Sequence, residues 1–141
     1  MILETRDKKV ISDTRMEKAR EFLLDARATF EGRRYRTSVN RAYYAALNGV
    51  RAILILEGAN PETHDGAVTL LSLRFVKTAV LPVDVIKKFK ILLSRRTDVD
   101  YGDFDTTGAT EAEDSLRSAE AVIEAIDRAR QKIIIDLDGL S

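Results

Sequence analysis

An all-α fold, a single up-and-down bundle of about five helices, is what this sequence predicts. Three observations carry it. Apolar residues recur at three- and four-residue steps through each periodic segment. Those segments are bounded by Thr or Asp at their starts and by Gly or Pro at their ends. One segment, from Arg41 to Leu56, is apolar around most of its circumference. Such a helix belongs in the middle of an all-helical domain.

Residues 1–12 read as a loose N-terminal arm, residues 13–136 as the bundle and residues 137–141 as a C-terminal tail. The first helix is expected from Thr14, because Thr14-x-x-Glu17 has the form of a capping box in which hydroxyl and carboxylate satisfy free amides. Met16, Ala19, Leu23, Ala26 and Phe30 follow at helical spacing, and Gly32 supplies a stop. The second helix runs from about Tyr35 to Glu57, closed by Gly58 and Asn60-Pro61. Thr63 has the chemistry to cap a third, carrying Val68, Leu71, Phe75 and Val76. After Pro82, Asp84 can cap a fourth through Val85, Phe89, Leu92 and Leu93. Residues 101–109 read as a turn-rich loop. Thr110-x-x-Glu113 then opens a last helix along Leu116, Ala119, Ile123, Ile126, Arg130 and Ile133, while Ile133-Ile134-Ile135 either ends it or starts an extended tail.

The 141 residues suit one domain with a genuine core, and the absence of cysteine removes disulfides and thiolate metal sites. No apolar run approaches the ~20 residues of a membrane span, and the N-terminus lacks a signal peptide's apolar core, so a cytoplasmic protein is expected. Twenty-three basic residues balance twenty-three acidic ones, which gives no global attraction to nucleic acid. Locally, Arg33, Arg34, Arg36, Arg41 and Arg51 lie early, and Asp98, Asp100, Asp103, Asp105, Glu111, Glu113 and Asp114 lie late. Complementary patches of this kind favour self-association or a charged partner.

Wound at about 100° per residue, Arg41, Tyr44, Asn48 and Arg51 form one narrow polar stripe on the second helix. Arg96 continues the apolar stripe of Val85, Phe89 and Leu92, and Asp100 reaches it across one turn. A guanidinium in line with a core face needs a partner, because arginine keeps its proton. It is either a structural ion pair with Asp100 or a contact for phosphate. His64, the single histidine, stands at a helix opening where free amides favour anions. It either caps and packs, or meets Arg96 across the bundle. Tyr43 reads as core, and Tyr44 either bonds across helices or stacks on a base.

Arg41-Ala-Tyr-Tyr-Ala, Thr63-His64-Asp65-Gly66 and Arg95-Arg96-x-x-x-Asp100-Tyr101-Gly102 occur in that order. Together they resemble the HEPN (higher eukaryote and prokaryote nucleotide-binding) domain family over roughly residues 15–130. The resemblance implies a helical bundle acting as a homodimer, and a nucleotide- or RNA-associated binding or regulatory module. It also implies a minimal nucleotidyltransferase as partner, in two-gene systems like toxin–antitoxin pairs. Arg41, Tyr44, Asn48, Arg51, Arg95, Arg96 and Tyr101 are then the candidates for contact with nucleotide, RNA or partner. Active members resemble one another in an Arg-x(4–6)-His motif. Here Arg95 and Arg96 match the arginine, but Asp100, Tyr101, Gly102 and Asp103 stand where the histidine belongs. The alternative reading is therefore a metal-independent endoribonuclease with a degenerate motif, in which Arg96 holds phosphate and His64 or Asp100 moves the proton.

Asp103-x-Asp105-x-Thr107-Gly108-x-x-Glu111-x-x-Asp114 approaches a calcium loop, but departs from it at the fifth and twelfth positions. No metal and no cofactor are expected. Phosphate-binding glycine loops, nucleophile elbows and His-x-x-x-His pairs are absent from the sequence.

Overall fold

The computed structural model describes residues 3–102 and 107–139, and every regular element among them is helical. The order is α1 (Thr5–Glu31), α2 (Tyr35–Leu54), α3 (His64–Leu71), α4 (Val83–Tyr101) and α5 (Ala109–Gly139). A 3₁₀ turn, Ile55–Glu57, extends α2, and a π turn, Ser72–Val76, extends α3. The all-α bundle of five helices expected from periodicity is the fold observed. No helix of the described residues is long and apolar enough to cross a membrane.

The centre of the bundle is α2, which packs against α1, α4 and α5. Its composition explains this place. Ala42, Ala45, Ala46 and Ala52 are fully buried and keep the helix slim. At Gly49 an added Cβ would stand 3.5 Å from the Ile123 side chain, so α5 comes close to the α2 backbone there. Val50, Ile53 and Leu54 then meet Val122, Ile123 and Ile126 of α5 in one core, with Phe75, Phe89 and Leu92 filling another part of it. Each such large side chain contributes about 1.5–3 kcal/mol on burial. Gly58 closes the turn after α2 at φ 78°, a left-handed conformation that glycine takes without a Cβ penalty.

The two ends of the chain differ from the sequence reading. Residues 5–12 are not a loose arm: α1 begins at Thr5, and Thr14 and Glu17 lie exposed in its interior. The reason is tertiary. Ser12 is fully buried and its hydroxyl donates to the Ala52 carbonyl at 2.6 Å. Arg130, only 6% exposed, reaches across from α5 to Asp13 at 2.6 Å while also pairing with Asp127 at 3.0 Å. At the other end α5 runs to Gly139, so Ile133-Ile134-Ile135 stays helical and residues 137–139 are no tail; residues 140–141 lie outside the described residues.

The remaining helix starts are mixed. Thr63 caps α3 as expected, its hydroxyl accepting the Gly66 amide at 2.9 Å. Pro82, not Asp84, is the residue before α4, and Asp84 pairs with Lys88 at 2.7 Å instead. At α5 the reciprocal carboxylate is Glu111, which accepts the Gly108 amide at 3.0 Å, whereas Glu113 pairs with Arg117 at 2.6 Å. Tyr101, read as loop, is the last residue of α4.

Thr63→Ala should lower unfolding stability by about 1 kcal/mol, the usual contribution of a hydroxyl cap. Arg130→Ala should cost about 2 kcal/mol, because it removes charge-assisted bonds to Asp13 and Asp127 from a buried position. Urea midpoints of both variants check the two values, and an unchanged Arg130→Ala midpoint would mean that α1 is held without this network.

Candidate functional site

Where the apolar stripe of α4 runs out, Arg96 carries it on. Val85, Phe89 and Leu92 are buried, and the Arg96 side chain one turn further is 12% exposed. Three rings surround its guanidinium carbon, with centroids at 5.7 Å (Tyr43), 5.4 Å (Tyr44) and 5.6 Å (Tyr101). Its Nη2 donates to the Tyr44 hydroxyl at 2.8 Å. Asp100 Oδ2 stands 2.8 Å from Nε, but the approach is not aligned as a hydrogen bond and Nε is buried without an acceptor. The pair is a charge contact. Asp100 is steadied in turn by the Asn40 amide, at 3.3 and 3.4 Å from its two oxygens. Burial works against the charge on Arg96, but Tyr44 and Asp100 more than offset it, so the proton is held above the ordinary arginine value.

His64 joins the same array through Tyr43. It is the first residue of α3, and its Nδ1 is hydrogen-bonded to the Tyr43 hydroxyl. Tyr43 is fully buried, its ring stacked on Phe89 at 5.8 Å and edge-on to both Tyr44 and His64. Burial pushes the Tyr43 phenol well above its usual range, so it stays protonated. A phenol that keeps its proton is the natural donor, which leaves Nδ1 as acceptor and puts the imidazole proton on Nε2. Burial, then the charges of Arg96 and Arg51, push the His64 pKa below its ordinary value, with Asp65 acting the other way. The imidazole is neutral near pH 7 and offers one N–H.

The other sequence candidates divide. Tyr44 bonds across helices to Arg96, and Tyr101 is 72% exposed beside it. Arg95 does not share the site. It points to α5, where Asp114 lies at 2.5 Å and Ser115 at 3.3 Å, because consecutive helical residues diverge by about 100°. Arg41 lies over the Phe22 ring at 5.6 Å, and Asn48 turns back to the Tyr44 carbonyl at 2.8 Å. Arg51 lies close enough to lower the His64 pKa, and its Nε is buried without an acceptor. Two members escaped the sequence reading. Asn40 could have been found one turn before Tyr44 on the same face, and Tyr43 was read only as core.

Among the described residues no cluster of His, Asp or Glu could hold a metal. Asp103 and Asp105 of the calcium-like stretch lie outside the described residues; Glu111 and Asp114 are engaged with Gly108 and Arg95. The array therefore offers a permanent positive charge, an imidazole N–H and an exposed aromatic ring. That combination suits an anion attached to a flat ring system.

Tyr43→Phe should cost about 1 kcal/mol, since it leaves Nδ1 of His64 without its donor. The pH dependence follows from linkage. The unfolded His64 titrates near 6.5 and the folded one lower, so protons bind the unfolded chain first as pH falls. Its stabilising contribution is full above that value and is lost as pH drops through it toward the folded pKa. Urea unfolding of wild type should thus weaken more steeply below about pH 6.5 than that of His64→Gln. Parallel curves would contradict the burial of the imidazole.

Comparison with known proteins agrees with this architecture. A Thermotoga maritima protein named UPF0332 protein is 30% identical over 131 residues, 93% of this chain and 96% of its own length. A Methanocaldococcus jannaschii protein named "Putative toxin MJ0605" is 30% identical over 119 residues, 84% of this chain and 88% of its own. The crystal structure of TT1696 from Thermus thermophilus has the same fold at TM-score 0.73 and 18% identity, covering 84% of this chain and 97% of that one. The family description "HEPN domain" matches residues 12–129, and this chain belongs to the HEPN domain family.

Proposed function

We propose that the Arg96 face receives a phosphate-bearing ligand, nucleotide or RNA, and that the chain acts as a binding or regulatory module. In this reading it works as a homodimer beside a minimal nucleotidyltransferase, in a toxin–antitoxin-like system inside the cell. One observation carries the ligand reading. Arg96 is a charged group whose Nε has no aligned acceptor, set between one carboxylate and three tyrosine rings, the outermost of them exposed. The toxin context is supported by the names of the Methanocaldococcus jannaschii relatives.

Binding is favoured over cleavage by the state of the two groups that would move a proton. A general base needs an unprotonated atom facing the ribose hydroxyl. In His64 that atom is Nδ1, already bonded to Tyr43. Asp100 is engaged by Arg96 and Asn40. The second reading, a metal-independent endoribonuclease, draws on one observation: Tyr43 connects His64 to the surroundings of Arg96, so an imidazole and an arginine belong to one array. That reaction would attack phosphorus with the 2′-oxygen, expel the 5′-oxygen and leave a 2′,3′-cyclic phosphate.

Fluorescence anisotropy with a labelled structured RNA and with a labelled nucleotide, followed by product analysis in EDTA, separates the readings. Wild type should bind one of them without cleaving, and Arg96→Gln should bind at least about tenfold more weakly. Tyr101→Ala, which leaves the core untouched, should weaken binding as well. Chelator-resistant cleavage that Arg96→Gln abolishes would establish the nuclease instead. Unaltered binding by both variants would sink the assignment of this face. Recovery of the tagged chain without a nucleotidyltransferase at native expression would count against the pairing.

A further inference from the structure

The last helix outruns its neighbour. α5 has 31 residues and α4 only 19, which at ~1.5 Å per residue leaves α5 much the longer. Arg95, near the end of α4, meets Asp114, whereas Pro82, just before its start, lies across from Ala125 and Ala129. Past that point α5 carries one wall of an open groove of about 750 Å³. Ala125, Ala129 and Ile133 stand at four-residue steps along it, and Val80 and Leu81 form the facing wall. The lining is mostly apolar, and the two alanines let an incoming backbone come close. Val80 is 45% exposed and Ile135, beside the groove, 68%. A groove of this shape suits an amphipathic helix.

Charge selects which helix. Lys132 and Asp136 both line the groove and are exposed, and neither has an ion pair among the described residues. They stand one turn apart, but a cation N-terminal to its anion is the weaker order on a helix. Asp136 also lies near a helix C-terminus, where the dipole disfavours an anion, and the last turn of α5 has no basic residue. Asp138 answers this with Lys9 at 3.7 Å, while Asp136 is left facing out of the fold. An identical helix laid antiparallel supplies both complements at once, because its cation meets this anion and its anion meets this cation.

We infer that the groove beside the second half of α5 receives α5 of a second copy across a two-fold axis. Lys132 of each copy then meets Asp136 of the partner subunit, and Ile135 and Val80 are covered. A two-fold contact uses the same patch on both copies, so the association closes at two. The inference rests on the homodimer reading above and adds to it the face, on α5 and apart from Arg96, where the copies meet.

Sedimentation velocity over a concentration series tests it on four proteins: wild type, Lys132→Asp, Asp136→Lys and the double swap. Both positions are exposed, so all four should melt alike. Wild type should dimerise, and each single variant should raise the dimer dissociation constant at least about tenfold, since like charges then face across the axis. The double swap should restore it, and so should mixing the two single variants, which complement each other. If all four dimerise equally, the face is wrong and the homodimer reading stands. Single variants that weaken the dimer without rescue by the swap or the mixture overturn the antiparallel pairing. A wild type that stays monomeric throughout leaves the groove to another occupant and sinks both readings.

Discussion

A charge that does not leave governs the centre of this molecule. Arg96 sits on the helix stripe that Phe89 and Leu92 bury, and arginine does not discharge itself by releasing a proton. An uncompensated ion in such a place costs several kcal/mol. The chain answers with a hydroxyl from α2, a carboxylate one turn along α4 and three ring faces. Each ring adds about 0.5–2 kcal/mol. These partners fix the register of α4 against α2, because Tyr43, Tyr44 and Asn40 must all lie under one guanidinium and its carboxylate.

The same arrangement sets the state of the histidine. Tyr43 is held by Phe89 on one side and bonded to His64 on the other, so the placement of the arginine and the placement of the imidazole share one phenol. Burial, and then the cationic neighbours, disfavour a charge on His64, and Thr63 anchors the helix start that presents it. A neutral imidazole with Nδ1 occupied is a donor, which orients an anion rather than taking a proton from it. The chain belongs to the HEPN family, and Asp100, Tyr101, Gly102 and Asp103 stand where an Arg-x(4–6)-His motif would place its histidine. Arg95 and Arg96 match the arginine of that motif, and the chain's single imidazole lies on α3 with Nδ1 bonded to Tyr43.

Much of the fold was legible because its signals are local. Arg41–Leu56 announces a central helix by composition, Thr63 announces a cap by its chemistry, and Arg96–Asp100 follows from one helical turn. The start of α1 was not legible, since it depends on Ser12 meeting Ala52 forty residues away and on Arg130 arriving from α5. The α5 box was misplaced by two residues because Thr110-x-x-Glu113 and Gly108-x-x-Glu111 compete, and the latter satisfies the amide. In the site, adjacency misled once. Arg95 and Arg96 looked like a pair but serve different helices. Tyr43 is core by its ring and bonded to His64 by its hydroxyl, a division that spacing does not reveal.

Because His64 is the chain's single histidine, its imidazole nitrogens can be read directly by ¹⁵N NMR without assignment ambiguity. At neutral pH the spectrum should show the Nε2–H tautomer, with Nδ1 unprotonated and hydrogen-bonded, and Tyr43→Phe should weaken that Nδ1 hydrogen-bond signature. An Nδ1–H tautomer, or a fully protonated ring at neutral pH, would contradict the account: the phenol would not be the donor, and the imidazole would be free to act as a base or as a second cation beside Arg96.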